Sequence, residues 1–229
     1  LRLRFGDGAP KNEEEAIRYV NMAIKKEHSG AMLTYALMLY NGEGIPVMKE
    51  EAYKYFKMSI DKGNDDAMCI YATILNEEGN KEESSKYFKM AIEKDNSIAM
   101  FRYATKLNEE GNKEDYIKYL KMAADKGNSN AMHKYAVLLY NGDGIEKNKE
   151  EALKYHKMAA DHGNEVSMYL YAYFLYNDDD NDDPSNKEEA VKYFNMAIER
   201  GNSMAMFHYG ASIIKTDTEE GLKYIKMAI

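Results

Sequence analysis

The sequence predicts an all-α fold, a right-handed α-solenoid of stacked antiparallel helix pairs. Three observations predict it. A small residue followed by Met recurs at Ala31-Met32, Ala67-Met68, Ala99-Met100, Ala131-Met132, Ser167-Met168 and Ala205-Met206, at spacings of 36, 32, 32, 36 and 38 residues. A Tyr-x-x-Met motif recurs at Tyr19/Met22, Tyr55/Met58, Tyr87/Met90, Tyr119/Met122, Tyr155/Met158, Tyr193/Met196 and Tyr224/Met227. Turn residues rich in Gly and Asn separate the two motifs in the copies up to residue 202, and Lys215-Thr216-Asp217 does so in the last. A period of this length is that of a helix-pair repeat, in which each unit buries its apolar face against its neighbours. The expected organisation is one domain over residues 1–229: a partial repeat 1–28, repeats 29–64, 65–96, 97–128, 129–164 and 165–202, and a truncated last repeat 203–229.

Residues 129–164 show how one copy folds. Ser129 or Asn128 caps a first helix, because a short side-chain oxygen accepts an unpaired first-turn amide hydrogen. Ala131, Tyr135, Ala136 and Leu139 then mark one buried face at helical spacing. Asn141-Gly142-Asp143-Gly144 closes that helix, since glycine tolerates the left-handed conformation required there. The second helix opens at Asn148, with Glu151 three residues on, a pattern like a capping box. Asn12/Glu15, Asn80/Glu83, Asn186/Glu189 and Asp217/Glu220 repeat it. Glu50/Lys54, Glu82/Lys86, Glu150/Lys154 and Glu188/Lys192 stand four apart, each adding a few tenths of a kcal/mol. Ala152, Tyr155 and Ala159 form the inward stripe, and Gly163-Asn164 stops the helix. Length changes fall between the two helices: residues 76–80 and 108–112 are shortened turns, and 177–186 is a lengthened one. The recurrent Met and Tyr of the second helix are expected to fill the core.

Bulk composition excludes several classes. The formal net charge of -8 argues against nucleic acid and anionic membrane, which need clustered Lys and Arg. Nothing approaches ~18 consecutive apolar residues, so no membrane span is expected. A single cysteine, Cys69, rules out a disulfide within the chain and fits a reducing, cytoplasmic location. The start at Leu1-Arg2-Leu3-Arg4-Phe5, which reads as the end of a helix, and the stop at Met227-Ala228-Ile229, before a Gly-Asn terminator, carry a further expectation. Either more repeats flank the segment or its ends pair end to end with another copy.

The Ala-x-x-x-Tyr-Ala helix, the Gly-x-Gly turns (Gly6-Asp7-Gly8, Gly42-Glu43-Gly44 and Gly142-Asp143-Gly144) and the Glu-Ala-x-x-Tyr-x-x-Met-Ala second helix together resemble the Sel1-like repeats, relatives of the tetratricopeptide repeats. The resemblance covers essentially the whole chain. Ala36, Ala72, Ala104, Ala136 and Ala172 depart from the family's Gly, which Gly210 keeps. The resemblance implies an intracellular, adaptor-type scaffold for protein–protein interaction, sometimes attached to a kinase or another catalytic domain. It also implies that first helices line a concave surface. Carried onto this sequence, the groove positions are Leu33, Leu37 and Tyr40; Cys69, Thr73 and Asn76; Phe101, Thr105 and Asn108; His133, Val137 and Tyr140; Tyr169, Tyr173 and Tyr176; Phe207, Ala211 and Ile214. Each aromatic among them either meets a partner or packs against the adjacent helix pair.

No site for catalysis, cofactor or metal is expected. His28, His133, His156, His162 and His208 fall at different repeat positions and form no metal-ligand spacing. Cys69 lacks a nucleophile signature. Asp178, Asp180, Asp182 and Glu189 mimic the spacing of a calcium loop, but Asp183 stands where the sharp turn needs Gly and Pro184 follows. A solvated acidic loop is the expectation. The reading is therefore a non-enzymatic adaptor binding a protein or peptide, basic with apolar anchors, on the first-helix surface. The runner-up is a structural or self-assembling spacer within a larger multidomain protein.

Overall fold

The computed structural model describes residues 13–177 and 184–229. Among these residues it holds thirteen α-helices and no strand. In order they are α1 (Glu13–Lys25), α2 (Ser29–Asn41), α3 (Lys49–Asp61), α4 (Asp65–Glu77), α5 (Lys81–Ile92), α6 (Ser97–Glu109), α7 (Lys113–Asp125), α8 (Ser129–Asn141), α9 (Lys149–Asp161), α10 (Glu165–Tyr176), α11 (Pro184–Glu199), α12 (Ser203–Ile213) and α13 (Thr218–Met227). Even-numbered helices are the first of each repeat and odd-numbered ones the second. Two compact units result, one through Arg102 and one from Tyr103. Within the first, α1 to α5 pack consecutively; within the second, α7 to α13 do. The fold is all-α, built from packed helix pairs as the period predicts.

Capping sets the helix starts. Asn64, Asn96, Asn128, Asn164 and Asn202 each accept the amide hydrogen three residues on, at 2.8–3.0 Å. The cap of α8 is thus Asn128 rather than Ser129. His28 replaces Asn before α2 and accepts through Nδ1 at 3.2 Å. The residue before these caps takes a left-handed turn, as Gly163 does at φ 88°. Glu27 and Asp95 hold that conformation without being glycine, at φ 57° and 62°, at some steric cost.

Second helices open on Asn80, Asn112, Asn148 and Asp217, which accept from Glu83, Asp115, Glu151 and Glu220 at 3.0–3.4 Å. The Asn148 side-chain amide also donates to the Glu151 carboxylate at 3.3 Å. The expected pair Asn186/Glu189 is not a cap. α11 starts two residues earlier at Pro184, whose fixed φ suits a first helical position. Glu189 instead receives Lys157 Nζ at 2.6 Å. Asn12 and the turn at Gly6-Asp7-Gly8 lie outside the described residues, as does Leu1–Phe5.

Small residues let the paired helices close. Ala36, Ala72, Ala104, Ala136 and Ala172 have no exposed surface, nor do Ala52, Ser84, Ala152 and Ala190 on second helices. In α12 and α13 both equivalent positions are Gly. A Cβ on Gly210 would meet the Gly221 carbonyl oxygen at 2.7 Å, and one on Gly221 the Gly210 oxygen at 2.8 Å. This pair therefore packs backbone to backbone. Ala136→Leu should overpack the α8 contact and cost about 1–3 kcal/mol. Lys134→Ala, at an exposed position of the same helix, should stay within ~0.5 kcal/mol. Urea denaturation of both variants checks the contrast.

Aromatic side chains repeat the same join. Tyr35–Tyr55 and Tyr71–Tyr87 in the first unit meet edge to face, at centroid distances of 4.8 and 5.1 Å. Tyr103–Tyr119, Tyr135–Tyr155, Tyr171–Tyr193 and Tyr209–Tyr224 in the second do so at 4.8–5.2 Å. Such a geometry sets ring edge against ring face, adding to area burial. The outer ends of two of these rings bind the preceding repeat: Tyr155 donates to Asp125 at 2.9 Å and Tyr193 to Asp161 at 2.5 Å.

One core expectation holds only in part: Met90, Met122 and Met196 of the second helices are half-buried, and Met196 packs against the core of the second unit. The first-helix residues Met32, Met68, Met100, Met132, Met168 and Met206 are buried. The second-helix residues Met22, Met58, Met158 and Met227 are exposed at 49, 42, 41 and 52 %, and Tyr19 at 48 %. Ala159 and Ala160 occupy the inward face of α9, and Met158 stands about 100° round the helix from Ala159. The motif recurs, but only its Tyr regularly enters the join.

Candidate interaction surface

Charge separates four of the first helices from the second helices. α2 and α12 contain no Asp, Glu, Lys or Arg, while α8 has only Lys134 and α10 only Glu165. By contrast α3 and α9 carry acidic first turns and lysines along their length. α2, α8, α10 and α12 thus present aromatic and aliphatic side chains with almost no charge, whereas α4 carries Asp65, Asp66 and Glu77 and α6 carries Arg102, Lys106 and Glu109. On α10 and α12, Val166, Met204 and Phe207 are 47, 51 and 47 % exposed.

The positions expected to line a groove are not alike. In the first unit Leu33, Leu37, Tyr40, Thr73, Asn76 and Phe101 are half-buried, whereas Cys69 is buried. Burial pushes the Cys69 thiol up to about 11, which keeps it protonated and poorly nucleophilic. Thr73 donates its hydroxyl hydrogen to the Cys69 carbonyl at 2.9 Å. In the second unit Thr105, His133, Val137, Tyr140, Tyr173, Tyr176 and Ile214 are half-buried, and Asn108, Phe207 and Ala211 exposed.

Tyr169 is buried, stacked on His208 at 5.5 Å and tilted against Tyr173 at 5.9 Å. Its ring therefore supports this face from within. Tyr173 meets the same His208 ring at 4.9 Å, and Phe207 lies beside His208 at 5.3 Å. A continuous aromatic surface consequently joins α10 to α12. Tyr176 turns towards Phe194 of α11 at 6.2 Å, and Tyr140 stacks on Phe174 at 4.6 Å.

Beneath that face lies a polar knot absent from the sequence reading. His133 Nδ1 is 3.1 Å and His156 Nδ1 3.2 Å from the Ser167 hydroxyl, and the rings stand 5.6 Å apart. One hydroxyl can donate to one imidazole and accept from the other, which satisfies both in neutral form. Burial, then the neighbouring His133, lowers the His156 pKa to about 4. Burial and then Lys134 lower that of His133. The signal was available: His156 stands where other repeats have Phe56, Phe88 and Phe194, and Ser167 where they have Ala.

Among the described residues no group of three or more His, Cys, Asp and Glu side chains converges as a metal site. The calcium-like residues Asp178, Asp180, Asp182 and Asp183 lie outside the described residues. No described helix is long and apolar enough to cross a membrane.

The profile of the Sel1 repeat matches residues 1–28, 29–64, 97–128, 129–164, 166–202 and 204–229. The chain belongs to the Sel1 repeat family. Residues 65–96, outside those matches, form α4 and α5 with the same caps and the same Tyr pair as their neighbours. A Sel1 repeat protein from Oxalobacter formigenes aligns over 95 % of this chain and 98 % of its own, with 22 % identity and a TM-score of 0.69. An immunity protein from Pseudomonas aeruginosa aligns over 83 % of this chain and 75 % of its own, at 18 % identity and a TM-score of 0.57. A second immunity protein of that organism covers 80 % of this chain and 72 % of its own, at 16 % identity and 0.54. No curated protein sequence matches the chain. At these identities the solved structures establish the fold. Sel1 repeats are generally interaction modules, and generally scaffolds rather than catalysts.

Proposed function

We propose that this Sel1 repeat chain is a non-enzymatic scaffold that binds a segment of a partner protein on its first-helix face. The observation that carries the proposal is the near absence of charge on α8, α10 and α12, combined with the aromatic surface of Tyr173, His208 and Phe207, all within the second unit. An uncharged face with aromatics suits an interface core, because such side chains bring large area with few rotors. The partner segment supplies apolar anchors to this face. Lys or Arg in the segment would meet acidic turns such as Glu109-Glu110 and gain from the net negative charge.

Selection of displayed peptides on the intact chain tests this. Enriched peptides should carry apolar anchors, and Tyr173→Ala combined with Phe207→Ala should weaken them about tenfold or more. The melting temperature should move by only a few degrees, because Phe207 is exposed and Tyr173 half-buried. Equal binding of the enriched peptides to the double variant would remove the face from consideration.

A further inference from the structure

The first unit shows how this scaffold seats a carboxylate. Lys49 Nζ stands 4.9 Å over the Tyr40 ring, and the Glu78 carboxylate takes Lys49 Nζ at 3.4 Å and the Tyr53 hydroxyl at 2.5 Å. Hydrogen bonding to Glu78 is the leading cause of the raised Lys49 pKa. One carboxylate thus closes a corner formed by the end of α2, the start of α3 and the end of α4.

One hundred residues on, the second unit builds the same corner differently. Tyr140, Lys149 and Glu150 repeat Tyr40, Lys49 and Glu50, but Leu153 replaces Tyr53, Phe174 replaces Ile74 and Lys147 replaces Val47. The corner is a cavity of about 350 Å³ lined by Tyr140, Lys149, Glu150, Leu153, Phe174 and Asn177. Leu153 lacks the phenol that Tyr53 extends to Glu78. Two ammonium groups now stand over one ring, Lys147 at 5.9 Å and Lys149 at 5.7 Å from the Tyr140 centroid. Phe174 stacks on that ring at 4.6 Å, with 22° between the planes. The lining carboxylate of Glu150 is engaged by Lys154 at 3.2 Å.

We propose that this corner of the second unit is a pocket for an acidic side chain of a partner peptide, flanked by an apolar residue. The carboxylate takes the place against Lys149 that Glu78 takes against Lys49, with Lys147 as a second cation. Its aliphatic stem and the apolar neighbour lie on Leu153 and Phe174. The pocket chemistry favours this ligand over a basic one, since two ammonium groups border the opening. The proposal deepens the scaffold reading and rests on it, but uses residues apart from Tyr173 and Phe207.

The test uses the intact chain and two blocked five-residue peptides, Ala-Leu-Glu-Leu-Ala and its Gln counterpart, titrated to millimolar concentration by NMR. The Glu peptide should shift the ring signals of Tyr140 and Phe174 and bind about fivefold more tightly than the Gln peptide, as a charge-assisted contact should. Lys147→Met with Lys149→Met should abolish the preference, and Leu153→Tyr, which restores the phenol of the first unit, should reduce binding of both. Tyr173→Ala with Phe207→Ala should leave the preference intact, so failure of the broader face and failure of the pocket give different results. The titration is repeated in Asp178→Asn, because Asp178 stands one hundred residues after Glu78 and is this chain's own counterpart of that carboxylate. Equal binding of the two peptides to the unsubstituted chain, a preference that appears only in Asp178→Asn, or one that survives loss of both lysines, overturns the proposal.

Discussion

Phe56→Ala will cost about 3–5 kcal/mol, the range for emptying the space of a fully buried aromatic ring. Phe56 has no exposed surface and stacks on Tyr71 at 5.5 Å, with 20° between the ring planes. The deletion thus removes apolar area and a ring contact that joins one repeat to the next. Ala52, one turn earlier on the same helix and fully buried, has little side chain with which to refill the gap. Lys57→Ala, one residue along on the exposed side, should stay within ~0.5 kcal/mol. Denaturant midpoints with unchanged slopes would establish both values, and a cost below about 1 kcal/mol for Phe56→Ala would contradict its placement in the core.

Acid will destabilise the second unit through His156. The folded pKa of about 4 lies below the ordinary imidazole value of 6.5, because burial disfavours the charged ring. Between those two values the unfolded chain binds a proton that the folded chain refuses, so stability rises with pH across this window. The contribution is fully present above pH 6.5 and is lost as pH falls towards 4. Linkage puts the loss at roughly 3 kcal/mol. His156→Phe installs the residue that Phe56, Phe88 and Phe194 hold at the same repeat position, and should remove most of this slope. Stability measured at pH 7, 5.5 and 4 on both proteins gives the difference directly. Parallel pH profiles for the two would show that the imidazole is not kept neutral by the fold.

Much of the architecture was legible because it is periodic. A residue that recurs with the repeat is under the same packing demand in each copy, and Ala136, Tyr135 and Leu139 could be placed from spacing alone. What periodicity did not convey was which neighbour each side chain meets. Met158 recurs as faithfully as Tyr155, yet it points away from the join. Asn186 fits the capping pattern, yet Pro184 starts the helix sooner. Tyr169 shares its repeat position with the exposed Phe207, but His208 of the next first helix covers it. The His133–Ser167–His156 knot was hidden for the opposite reason. It uses residues that depart from the repeat, and only three-dimensional stacking brings positions 133, 156 and 167 together. The corner at Tyr140 became visible by comparison of two copies of one structure, where a substitution of Leu153 for Tyr53 reads as space.

The asparagines between repeats have an evolutionary consequence. Each caps the helix it precedes, and several also reach back across the junction: Asn64 to Ser29 at 3.4 Å, Asn96 to Asp65 at 2.8 Å and Asn164 to Asn130 at 3.1 Å. Since the same residue type performs both tasks at these three junctions, the three are interchangeable in kind. A gene segment copied or lost between two such codons brings its own cap and its own link to the preceding unit. Arrays of this kind can therefore lengthen or shorten by whole units without new chemistry at the seam, leaving the turns inside each unit free to diverge.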